Sequence, residues 1–312
     1  MYSRGMHVEE AAPAPGAVAG RRSVVRTARL VLECMRPLQW TKNLFVLGGL
    51  VFSGSVLTPD ALVRSLVAFV AFCLASGATY LLNDVLDAEV DRHNPRTEGR
   101  PIARGALPRR TALGAAAASA VASLALVAPL GWETLAVLVG FLVLQLAYSM
   151  VLKHVILLDV MAIATGFLLR ALAGLVVIPV EISEWLLLCT GLLALFLGLA
   201  KRRGEVIALG GQQKPTRPVL EDYSLELIDQ YITILAPAAV MAYGIYSITA
   251  ASTSAMVLTL PFVLYGIFRY LYLLHKRGYG ERPETAPLRD RGLGFAILGW
   301  GLTAAVISYF AN

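Results

Sequence analysis

The stretch Asn83-Asp84-Val85-Leu86-Asp87-Ala88-Glu89-Val90-Asp91 places three aspartates at i, i+3 and i+7 directly after a membrane-length apolar run. On a helix that spacing puts Asp84, Asp87 and Asp91 on one face. Carboxylates so close repel one another, so the arrangement calls for a cation between them, and donors that are all oxygen select a hard ion such as Mg2+. A solvated acidic helix end would show the same residues. Here, however, two apolar runs bracket the segment and Arg92, Arg96, Arg100 and Arg104 follow at once. Acids that hold a metal, with arginines beside them, suit a phosphorylated substrate.

Other groups suited to binding phosphate fall into clusters. Pro95, Gly99 and Pro101 break any helix and leave Arg100 and Arg104 on a loop that can fold back over an anion. Arg36-Pro37-Leu38-Gln39-Trp40-Thr41-Lys42-Asn43 opens another apolar run, with Trp40 placed as an interface anchor and Lys42 and Asn43 where a membrane-facing pocket would meet water. Tyr148-Ser149-Met150-Val151-Leu152-Lys153-His154 precedes a run that contains Asp159. An acid inside an apolar span is costly enough to be functional or ion-paired. Lys153 reaches a phosphate in this reading, and Asp159 holds Mg2+, orients a lysine or forms an interhelical salt bridge. Arg170, about 16 Å deeper at the helical rise, suits an internal ion pair better than a substrate contact. Lys201-Arg202-Arg203-Gly204-Glu205 follows a further apolar run, where consecutive cations complement a helix C-terminus or bind an anion.

The elements that must position these groups are membrane helices. At 57% hydrophobic and 15% charged over 312 residues, with a mean hydropathy of +0.67, the chain has more apolar surface than a soluble domain of this length can bury. Apolar runs near 39–57, 61–82, 111–130, 134–152, 155–179, 185–200, 231–251, 255–274 and 293–310 give an expectation of nine spans in an all-α domain covering 23–312. Residues 1–22 lack apolar periodicity and read as a disordered tail, and 23–35 as a short interfacial helix. Lys and Arg gather in alternate connections, so the N-terminus, the aspartates and the basic loops are expected on the cytoplasmic side of the cell membrane. The net charge of +6 is thus first a topology signal, though it also attracts anionic lipid headgroups. No nucleic-acid motif is present. Cys34, Cys73 and Cys189 are scattered in or near apolar segments and suit small buried hydrophobes.

Asn-Asp-x-x-Asp-x-x-x-Asp closing the second run, Arg-Pro-Ile-Ala-Arg-Gly in the next loop and Tyr-Ser-x-x-Leu-Lys between the fourth and fifth runs resemble the UbiA-type prenyltransferase superfamily over nearly all of 36–310. The resemblance implies a helical membrane bundle in which Asn83, Asp84, Asp87 and Asp91 bind Mg2+ and a diphosphate. Ordinary members carry a second aspartate-rich motif near the end of the sixth helix. Here Glu205 is the only acid of residues 194–205, and Lys201, Arg202 and Arg203 stand beside it. With Gln39-Trp40-Thr41-Lys42-Asn43 and Leu152-Lys153-His154, that departure resembles the decaprenyl-phosphate phosphoribosyltransferase branch of arabinan (cell-wall arabinogalactan) synthesis. Its donor is phosphoribosyl diphosphate and its acceptor a polyprenyl phosphate. By this resemblance Asp84, Asp87 and Asp91 are the catalytic and metal-binding residues. Lys42, Asn43, Asn83, Arg100, Arg104, Tyr148, Lys153, Asp159, Lys201, Arg202 and Glu205 line the substrates. A conventional prenyltransferase acting on an aromatic acceptor is the near alternative, and a multispan transporter or lipid carrier the distant one. Charges gathered at one rim, away from the membrane midplane, disfavour the transporter.

Overall fold

A computed structural model describes residues 15–53, 55–95, 97–178, 184–209, 218–249, 251, 253–277, 280 and 285–311. The first part of the expected tail, 1–14, and Arg96 lie outside them. The elements are α1 (Pro15–Met35), a 3-10 helix (Pro37–Leu47), α2 (Gly48–Phe52), α3 (Pro59–Leu86), α4 (Ala88–Arg92), α5 (Arg109–Val127), α6 (Trp132–Met150), α7 (Leu158–Val176), α8 (Glu184–Leu209), α9 (Leu225–Thr249), α10 (Leu260–Arg277), α11 (Ala286–Arg289) and α12 (Arg291–Ala311). The domain is all-helical, and α1 already includes residues 15–22.

Eight helices among the described residues are long and apolar enough to cross a bilayer, and the run 39–57 is not one of them. Pro37 opens it, and it winds as a 3-10 helix that passes into the short α2. At about 2.0 Å per 3-10 residue and 1.5 Å per α residue the two pieces still extend roughly 30 Å, close to a hydrocarbon core. The segment is wedged against α3 and α7. Gly49 and Gly174 allow the approach, because a Cβ on Gly49 would strike the Gly174 carbonyl and one on Gly174 the Val46 carbonyl.

The interior consists mainly of α3 and α7, while α5, α6 and α12 turn most of their surface outward to lipid. α3 starts at Thr58 with Pro59 in its first turn and Asp60 near its positive end. Its buried face is rich in small residues (Ala68, Ala71, Ala75, Ser76, Gly77 and Ala78), which let neighbouring backbones approach closely. At the end remote from the aspartates, Arg64 donates to the carbonyls of Val177 at 2.8 Å and Leu130 at 2.7 Å, closing the ends of two other spans.

Two boundaries matter for the chemistry. α3 stops at Leu86 and α4 restarts at Ala88, so Asp84, Asp87 and Asp91 do not lie on one continuous helix. α8 runs on to Leu209, so Lys201, Arg202 and Arg203 lie inside a helix rather than at its C-terminus. The loop after α4 is anchored by Ile102 and Leu107, which pack with Leu30, Cys34, Leu81 and Ala88. That apolar clasp fixes where Arg100 stands.

Candidate active site

The break at Asp87 turns the aspartates toward different cations. The Asp84 carboxylate, 2% exposed, accepts from Arg36 at 2.5 Å and lies 3.3 Å from Arg100. Asp91 accepts from Arg100 at 2.6 Å, so one guanidinium bridges the first and last acids of the motif. Asp87, 38% exposed, accepts from Lys153 at 2.8 Å. The sequence reading missed Arg36 as a site residue. It sits in a left-handed turn (φ 53) immediately before Pro37, with its guanidinium 5.1 Å from the Tyr80 ring centre. The Arg-Pro junction was the available signal.

A second centre lies where α7 meets α8. Arg202, 1% exposed, donates Nε to Asp159 at 2.6 Å and Nη1 to Glu205, and its Nη2 is buried without a hydrogen-bond partner among the described residues. Tyr148 is close enough to act on Arg202 electrostatically. Lys201 lies 4.0 Å from Glu205, while Arg203 turns away to Asp229 of α9 at 2.6 Å. Successive residues of a helix diverge by about 100°, so Arg203 points to α9 while Lys201 and Arg202 share Glu205.

Several expected contacts take another form. Asp159 is completely buried: its oxygens accept from Arg202, from the Tyr223 hydroxyl at 2.8 Å and from the Val160 amide at 2.8 Å. It holds Arg202 in an interhelical salt bridge, the salt-bridge form among the roles its position allowed. Asn43 is also fully buried, away from the pocket mouth where the sequence placed it. Its Oδ1 accepts from Arg170 at 2.7 Å, and Arg170 also reaches the Gly166 carbonyl at 2.8 Å and Ser76 at 3.4 Å. Among the described residues Arg170 has no carboxylate partner, so it is not the internal ion pair expected. The Phe141 and Phe167 rings, 4.6 and 5.5 Å from the guanidinium, take up the rest of its surface. Arg104 stands 3.9 Å from Glu33 and is half exposed, apart from the aspartates. Lys42 is half-buried on the 3-10 helix.

All three cysteines are buried and free. Burial, aided by the Asp84 charge, pushes the Cys34 thiol up to about 12, so it stays protonated and inert beside the acids. Burial likewise raises the Tyr223 phenol, which remains an O–H donor to Asp159.

No three acidic, histidine or cysteine side chains among the described residues form a metal cage. Mg2+ does not require one, since it is usually held by one or two carboxylates together with substrate phosphates and water. The donor set fits that demand: Asp84, Asp87 and Asp91 offer only oxygens, and Asn83 Oδ1 is buried beside them with no hydrogen-bond partner among the described residues.

Residues 43–288 match the model of the UbiA prenyltransferase family. The chain is 34% identical to a decaprenyl-phosphate phosphoribosyltransferase of Mycolicibacterium smegmatis, covering 90% of this chain and 93% of that one. It is 34% identical to the protein of the same name from Mycobacterium tuberculosis, covering 90% and 94%. A UbiA homologue from Archaeoglobus fulgidus bound to DMAPP and Mg2+ superposes with a TM-score of 0.70 at 19% identity, covering 90% of this chain and 99% of that one.

Proposed function

The chain belongs to the UbiA prenyltransferase family, and from that premise we propose that it transfers 5-phosphoribose from phosphoribosyl diphosphate to decaprenyl or a similar polyprenyl phosphate. One observation carries the choice within the family. Where a second acidic motif would hold another metal, α8 carries the buried Arg202, whose Nη2 has no hydrogen-bond partner among the described residues, so a second anionic group admitted beside it would meet a fixed cation directly.

Asp84, Asp87 and Asp91, with Asn83, would hold Mg2+ on the diphosphate of the donor. Bound there, the ion supplies neutralisation of the charge that grows on the leaving diphosphate. Arg36, Arg100 and Lys153 already pair with these carboxylates, and on substrate binding they turn to diphosphate oxygens. The ribose C1–O bond breaks with its electron pair leaving on diphosphate, and an oxygen of the lipid phosphate forms the new C1–O bond from the opposite face. A phosphate anion brings no proton to remove, so no general base is needed. Lys201 and Arg202 are the candidates for the 5-phosphate. The gathering of Lys and Arg in alternate connections supports an orientation with this rim on the cytoplasmic side, within reach of a soluble sugar phosphate. The lipid tail would lie along the apolar helix faces turned to the bilayer.

The test is purified protein with Mg2+, labelled phosphoribosyl diphosphate and polyprenyl phosphate whose oxygen between lipid carbon and phosphorus is oxygen-18. Label should pass to the organic phase with the oxygen-18 retained and the ribose inverted from α to β. Loss of the oxygen-18, or product from a prenyl diphosphate and an aromatic acid instead, would identify a conventional prenyltransferase.

A further inference from the structure

We propose that Tyr223, in the connection between α8 and α9, is a positioning residue that fixes the aim of Arg202 and the turn carrying Lys153; this rests on the transferase reading above. Its hydroxyl is doubly engaged, donating to Asp159 Oδ1 at 2.8 Å and accepting from the Leu157 amide at 2.9 Å. Leu157 has a φ of 65 and a ψ of −42 and is spanned by a hydrogen bond from the Leu158 amide to the Ile156 carbonyl at 2.8 Å, a strained γ-turn that a bulky side chain adopts only where its surroundings over-determine it. Both ends of that turn lead to the site. Lys153 on one side donates to Asp87 at 2.8 Å, and Asp159 on the other accepts from Arg202 at 2.6 Å.

Guanidinium planarity turns this anchorage into aim. With Nε on Asp159 and Nη1 on Glu205, the direction of Nη2 is set, and Nη2 is the donor left over in a buried position. Asp159 keeps its own orientation through Tyr223 and the Val160 amide, one bond from a phenol and one from its own helix start. Without the hydroxyl, the Leu157 amide loses its acceptor and the carboxylate can rotate. The Arg202 guanidinium on α8 is then free to turn away from the donor phosphate.

The experiment compares Tyr223→Phe, Asp159→Asn, Arg202→Ala and the Tyr223→Phe/Arg202→Ala double variant in the full-length membrane protein. kcat and KM are measured for phosphoribosyl diphosphate and for ribosyl diphosphate lacking the 5-phosphate. Tyr223→Phe should lower kcat/KM for the phosphorylated donor roughly tenfold, mainly through KM, and much less for the other donor. Asp159→Asn should show the same bias. In the double variant Tyr223→Phe should add no further donor bias, because the group it aims is gone. Equal losses on both donors, a bias that multiplies in the double variant, or a lower melting temperature with unchanged donor KM would overturn the inference and leave Tyr223 as core packing. An Arg202→Ala variant with no donor bias would overturn the premise about Arg202 itself, a separable result.

Discussion

The two charged centres solve the same problem, holding acids and bases together at a membrane surface, in opposite ways. At the α3 end, two of the three cations are partly exposed, Arg36 at 32% and Arg100 at 30%, and so is Asp87 at 38%. At the α8 end, Arg202 and Asp159 are sealed, and the pair is braced by Tyr223 and Glu205. Exposed ion pairs are worth little and exchange partners easily, whereas breaking a buried pair by removing one member strands the other. The first centre is therefore built to trade cations for a metal and a leaving group, and the second to keep one donor fixed.

The largest break comes at the exchangeable end. Asp84→Ala or Asp87→Ala should reduce turnover by about a thousandfold or more, since stabilisation of the leaving diphosphate depends on these oxygens. Membrane insertion should be intact, as the acids end a helix and do not join packed spans. The check is lipid-linked phosphoribose formed per folded protein across a Mg2+ titration. Near-normal activity in either variant, or full wild-type activity in chelator, would remove the aspartates from the chemistry.

At the fixed end, Arg202→Ala should cost roughly ten- to a hundredfold in kcat/KM, the worth of a charge-assisted phosphate contact of about 1.5–3 kcal/mol. It should also lower the yield of folded protein, because Asp159 is left buried and uncompensated. Arg202→Lys keeps the charge but loses the planar fork, so it should recover folded yield more than activity. Equal recovery of both would make Arg202 a purely structural cation.

What was readable from sequence follows the range of each signal. Apolar runs, the aspartate spacing and the cationic clusters are local patterns, and they gave the helical membrane class and the family. The helix break at Asp87 is a deviation of a single residue that the spacing Asp84, Asp87, Asp91 does not encode. The close packing of the Pro37–Leu47 segment uses Gly174, contributed by the distant α7, where a Cβ would strike the Val46 carbonyl. Partner choice was least legible of all: Arg170 finds Asn43 across 127 residues and Asp159 finds Tyr223 across 64, and no property of either residue type marks the other. Asp159 read as costly in a membrane, which was sound, but only packing decides whether the compensating charge is a metal, a lysine or Arg202.

A sharper comparison uses the sign of the metal response. Lys153 sits on Asp87 with its side chain only 11% exposed, so in the resting site it competes with a metal for that carboxylate. Lys153→Met should lower kcat/KM by about tenfold through loss of a phosphate contact, yet reduce the Mg2+ concentration needed for half-maximal rate. Asp87→Asn should raise that concentration. If both variants demand more Mg2+, Lys153 supports the metal site instead of competing with it, and the exchange model of this centre fails.

The smallest effect is expected where the loop leaves the site. Arg104 lies on the same anchored loop as Arg100, but its guanidinium is 3.9 Å from Glu33 and half exposed, whereas Arg100 bridges Asp84 and Asp91. Exposed pairs of that geometry contribute between about zero and 1 kcal/mol. Arg104→Ala should therefore change kcat/KM by less than about threefold, and Arg100→Ala by far more, with both measured at low and moderate salt because any long-range steering by Arg104 is screened as salt rises. A tenfold loss in Arg104→Ala that persists at moderate salt would mean that the loop closes over the substrate and brings both arginines onto phosphate. The exchangeable centre would then extend along the loop, beyond the three cations that touch the aspartates.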